Sequence, residues 1–171
     1  MLALIVCLVV GAAMAGSAGA VDPGTSELSV ERGKGVVVLE LRGSMLGLLG
    51  NGGLTVIDLT PRDRYTATVV GRKMKTVYLG LRTTRYRGQG LRFRMLGGGY
   101  RIVVRGSGMA LSAVGRGWVT LDGDRLTPLD DAGVYSLDGV DCSLEPASCT
   151  PLPDETERYT LGPTTTTKPT P

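Results

Sequence analysis

Histidine is absent from the 171 residues, and aromatic side chains are scarce: one Trp, one Phe and six Tyr. Without histidine, a Ser/His/Asp triad and any zinc site of mixed cysteine and histidine ligands are excluded. So few aromatics leave the core to Val, Leu and Ile, and leave Tyr86 and Tyr100 as the obvious stacking candidates for a nucleic-acid platform, too few for one. No window of roughly 12 residues or more shows helical periodicity outside the N-terminus. Acidic residues are missing from the whole interval Arg64 to Leu121.

What is present is glycine, 26 residues of it, punctuating short runs in which apolar residues alternate with arginine. The densest such stretch is Leu91 to Leu121. Successive side chains of a strand point to opposite faces, so Leu91, Phe93 and Met95 face a core while Arg92 and Arg94 face water. After Gly97-Gly98-Gly99, Tyr100, Ile102 and Val104 repeat the pattern against Arg101 and Arg105, and Val119 and Leu121 alternate with Trp118 and Thr120. The three glycines read as a tight turn, which pairs the first two runs as a β-hairpin. The expected fold is all-β, a small antiparallel barrel or sandwich over about Ser26 to Asp138.

Upstream, Val37, Leu39 and Leu41 form the first strong strand after Gly33-Lys34-Gly35. The chain also admits an internal repeat: Leu39 to Ser44 aligns with Ile102 to Ser107, and Gly50 to Val56 with Gly115 to Leu121. Coincidence in a glycine-rich chain is the rival reading. Between these units Thr60-Pro61-Arg62-Asp63 reads as a type I turn, Thr66 to Val70 and Thr76 to Leu81 as strands joined by a basic loop at Gly71-Arg72-Lys73, and Gly88-Gln89-Gly90 as a turn. Val134 to Leu137 offers one last short strand.

Residues 1–20 are apolar and uncharged and end in Ala18-Gly19-Ala20, the pattern of a secretory signal peptide cleaved after Ala20. A retained anchor is the rival, and the polar Asp22-Pro23-Gly24 favours cleavage, leaving no membrane span. Export places the chain outside the cell or in a bacterial envelope. There Cys142 and Cys149, an isolated pair in CSLEPASC, form a disulfide. The organisation is thus a signal peptide over 1–20, a β-domain over 21–141, a disulfide loop and acidic segment over 142–162, and a disordered Thr/Pro-rich tail over 163–171.

Charge is segregated along the chain. Arg64, Arg72, Lys73, Lys75, Arg82, Arg85, Arg87, Arg92, Arg94, Arg101, Arg105 and Arg116 precede a block of acid running from Asp122 to Glu157. One functional reading makes Arg92, Arg94, Arg101 and Arg105, adjacent across the hairpin, a basic face for an anionic polymer, since the guanidinium fork binds phosphate or carboxylate bidentately. The structural reading has the acidic C-terminal segment fold back and neutralise that face.

Glycine-rich Gly106-Ser107-Gly108 and Gly115-Arg116-Gly117 match no phosphate-binding motif, and Asp122-x-Asp124 lacks the later ligands of a calcium loop. No metal and no cofactor is implied. The expectation is a non-catalytic exported domain that binds an anionic envelope or extracellular polymer, with no specific nucleic acid as partner. The alternatives are a structural envelope component that assembles through a strand edge, and a hydrolase using paired carboxylates between Asp122 and Asp141.

Overall fold

The computed structural model describes residues 27–127 and 131–162. The signal peptide and the Thr/Pro-rich tail lie outside them. Two long strands dominate: β1, Glu27–Asp58, and β3, Thr83–Gly123. β2, Thr68–Tyr78, connects them and pairs antiparallel with β3. Three short strands complete the set: β4, Val134–Ser136; β5, Thr150–Pro151; and β6, Glu157–Leu161. The order in the single six-stranded sheet is β2-β3-β1-β4-β5, with β6 on the far part of β3.

The all-β antiparallel class is as the alternation requires, but the strands form one sheet that does not close into a barrel. β1 meets β3 twice. Gly35 lies opposite both Gly106 and Gly123, 17 residues apart, and Val56 lies opposite both Thr84 and Ile102. A strand flanked on both sides by one partner, without reversing direction, has wound round with that partner as a coiled ribbon. The pairing then ends at β2 on one side and at the short C-terminal strands on the other.

Paired glycines make the winding feasible. Gly52 (φ +146°) faces Gly106 (φ +150°), and a Cβ on either would come within 2.1 Å of a carbonyl oxygen on the other strand. Side chains are excluded there, so the backbones approach closely and bend without ending the ladder. The bend also resets the alternation. Buried residues of β1 pass from odd positions (Val37, Leu39, Leu41, Met45, Leu49) to even ones (Leu54, Val56). β3 passes from even (Tyr100, Ile102, Val104) to odd (Met109, Leu111, Ala113) across Gly106.

One apolar cluster results, and it contains every residue expected to face inward: Leu91, Phe93, Met95, Tyr100, Ile102, Val104, Val119, Leu121, Val37, Leu39 and Leu41. Gly47 leaves room for the Phe93 ring, which would lie 2.2 Å from a Cβ at that position. At about 25 cal/mol per Å² of apolar area, this cluster is the main term holding the sheet.

Several local expectations are corrected. Gly97-Gly98-Gly99 is not a hairpin turn, because β3 runs through it without reversing: Leu91 to Met95 and Tyr100 to Val104 follow one another along the same side of β1, opposite Leu49 to Met45 and Leu41 to Val37. Gly88-Gln89-Gly90 is likewise inside β3. The basic loop at Gly71-Arg72-Lys73 is a bulge within a continuous β2, with Lys73 at φ +49°. Pro61 does begin a turn, closed by the Asp63 amide donating to the Thr60 carbonyl at 3.0 Å.

Candidate functional site

The four arginines expected to form a basic face are all exposed, yet they are not brought together. Arg92 lies between Leu48 and Val70, and Arg94 between Leu46 and Thr68. Arg101 stands beside Glu40, its Nε donating to Oε2 at 2.6 Å, and its guanidinium carbon lies 5.6 Å from the Trp118 ring centroid. Its charge is therefore already matched. Arg105 lies between Val36 and Gly53. The expected neighbourhood across a hairpin fails because β3 runs on through Gly97 to Gly99 without reversing, so Arg92 and Arg94 are carried along the strand away from Arg101 and Arg105.

A different cluster takes its place. Arg87 and Arg105 flank Gly53 from opposite sides of β1, and Arg85 and Val103 flank Thr55 one step along the same outer face. The next strand adds Lys75, opposite Arg87. With strands about 4.8 Å apart, the Arg87 and Arg105 backbones are roughly 10 Å apart with no side chain between them. Apart from Lys75, these residues line an open groove of about 770 Å³. A Cβ on Gly53 would find Arg87 Cγ at 3.6 Å, so the arginine stem leans over the bare glycine.

Among the described residues no acid forms an ion pair with Arg85, Arg87, Arg105 or Lys75. Among the described residues the ion pairs are Lys34–Asp124 and Arg101–Glu40. The acidic C-terminal segment does not fold over the basic face; β6 extends the sheet from β3 at Gly117 to Leu121, and β4 extends it from β1 at Ser29 to Glu31. The disulfide Cys142–Cys149 holds this segment, and the Cys142 amide donates to Ser29 Oγ at 3.0 Å. The two blocks meet only at Arg105, which stands across Val36 from Asp122.

Arg105 also borders a second cavity, about 570 Å³, lined by Lys34, Asp122, Asp124 and Arg125. Lys34 Nζ is 2.9 Å from Asp124 Oδ2 and donates to Thr127 Oγ1, which donates to the same carboxylate oxygen at 3.0 Å. The Lys34 hydrogen bond, with those of the Leu126 amide and Thr127, holds the Asp124 carboxyl below the usual range. Asp138 and Asp141 are lowered too, chiefly by the hydroxyls of Ser136 and Ser143. None of these three is a proton donor near neutral pH, as an acid/base carboxylate pair requires of one member.

The aromatic candidates are accounted for by the fold. Tyr100 is fully buried, its hydroxyl has no partner among the described residues, and burial raises its pKa, with the Asp58 and Asp63 charges adding to the effect. Tyr86 packs against the core. Neither offers an open ring for a base. Trp118, which the alternation places only on an outward face, carries Arg158 at 4.1 Å as well as Arg101, so its ring is covered by the protein's own cations.

Comparison with protein-family models, with curated protein sequences and with solved structures returns no match.

Proposed function

We propose that the protein is an exported, non-catalytic β-domain that binds an anionic polymer along the groove lined by Arg85, Arg87 and Arg105, with Lys75 beside it. The single observation that carries this reading is the set of cations around Gly53 with no acidic partner among the described residues, on a stretch of 58 residues, Arg64 to Leu121, without acid. Cations held on a paired sheet lose less freedom on binding than cations on a loop, and the planar fork of Arg suits repeated phosphate or carboxylate groups. Arg92 and Arg94 extend the basic surface toward β2 as peripheral contacts. The disulfide supports export to an oxidising compartment, outside the cell or in the envelope.

Retention on immobilised inorganic polyphosphate and on polyglutamate tests the reading and separates the two anion chemistries. Arg87→Ser with Arg105→Ser is expected to abolish retention on at least one of them, and Arg92→Ser with Arg94→Ser to reduce it less. Unchanged retention of the Arg87/Arg105 variant would overturn the proposal.

The assembly alternative has the free edge of β2 in its favour. That edge carries Arg72, Lys73 and Lys75 and a bulge, the features that deter strand-to-strand pairing. Self-association of the native chain in sedimentation would favour it over polymer binding.

A further inference from the structure

The hairpin joining β2 to β3 presents large apolar side chains that nothing among the described residues covers. Tyr78 is 79 % exposed, Leu79 50 % and Leu81 completely so. The turn itself is well defined, the Leu79 amide donating to the Thr83 carbonyl at 2.9 Å and the Asp58 amide to the Arg82 carbonyl at 2.9 Å. A Cβ on Gly80 would meet no atom within 4 Å, so the tip projects into open space. Flanking it are Arg82 and Arg85 on β3 and its approach, and Lys75 on β2, with Val77 directly opposite Arg85. No acid occurs from Arg64 to Leu121, an interval that holds all of β2, the turn and the part of β3 next to it. Asp58, whose amide meets the turn, directs its carboxylate to accept the Thr60 amide at 2.9 Å.

We propose that this tip docks on an anionic lipid bilayer, Tyr78, Leu79 and Leu81 entering the headgroup region while Lys75, Arg82 and Arg85 engage lipid phosphates. Apolar residues at a projecting tip, ringed by cations, match the layered chemistry of a bilayer surface, apolar below and negative above. A second copy of the chain is a poorer occupant. An isologous contact would set like charges against one another, and three side chains are far from the roughly 1,000 Å² that a stable protein interface buries. The polymer groove around Gly53 stands on separate residues apart from the shared Lys75 and Arg85, so either reading can fail alone.

The test is co-sedimentation of the full chain with phosphatidylglycerol-containing vesicles and with pure phosphatidylcholine vesicles. Binding is expected only to the former. Leu79→Ser with Leu81→Ser, both exposed and so compatible with folding, is expected to weaken it by about tenfold or more while leaving polyphosphate retention unchanged. Equal binding to the two vesicle types, or undiminished binding by the Leu79/Leu81 variant, would overturn the proposal. So would a native chain that self-associates in sedimentation and becomes monomeric in that variant, since the tip would then be covered by another copy.

Discussion

Arg87 and Arg105 stand opposite the same residue, Gly53, although they belong to one strand and are 18 residues apart along it. The coil of β1 with β3 creates this relationship. Where β3 passes β1 for the second time, an arginine returns to face an arginine across a residue with no side chain.

Filling that gap should block the site without removing a charge. Gly53 has ordinary backbone geometry, and a Cβ there meets its nearest atoms at 3.4 and 3.6 Å, so Gly53→Leu is expected to fold normally. Polyphosphate retention should nevertheless fall sharply. Retention at the native salt concentration would show that the groove floor is not part of the binding surface.

The glycine pair at the bend makes the opposite prediction. Gly52→Ala puts a Cβ 2.1 Å from the Arg105 carbonyl oxygen at a φ of +146°, and the backbone strain alone is worth roughly 1–3 kcal/mol. Urea unfolding should show a loss of at least that size. A loss no greater than that of an exposed-strand glycine substitution would mean that the bend tolerates side chains.

Reduction of the disulfide tests a smaller term. A loop closed over a sequence separation of seven residues constrains the unfolded chain least, contributing about 2 kcal/mol. Cys142 is buried against β1, so Cys142→Ser with Cys149→Ser should loosen the segment from β4 to β6 while the long strands keep their slow amide hydrogen exchange. Global loss of protection would place the pair at the heart of the fold instead.

Acid sensitivity is expected at Asp124. Its carboxyl is held below the ordinary aspartate value of about 3.9 in the folded state by the Lys34 hydrogen bond, so its contribution is fully present above that value and is lost as pH falls through the lower folded one. Asp124→Asn is therefore expected to lower Tm at neutral pH and to flatten the Tm–pH curve below about pH 4. Parallel curves for the two proteins would contradict the linkage.

The inward face was legible because alternation is local. Leu91, Phe93 and Met95 needed only their neighbours to be assigned, and the outward placing of the arginines between them came with it. The register was not legible. Gly97 to Gly99, like Gly88 to Gly90, has the composition of a turn, and only the partner strand decides whether a glycine ends a ladder or bends it. For the same reason alternation groups Arg92 and Arg94 with Arg101 and Arg105, whereas the residues that meet around Gly53 are Arg85, Arg87 and Arg105. The acid-free interval did contain the true cluster. Gly53 itself, next to the Gly52 bend, was the one local signal that a side-chain-free position lay between strands.

The most direct test of the basic groove is the salt dependence of polyphosphate affinity for the native protein and for Arg87→Ser with Arg105→Ser. Each phosphate neutralised releases counterions, so log affinity should fall linearly with log salt, with a slope smaller by more than about 1 in the double variant. Two proteins with the same slope and the same affinity would contradict the account.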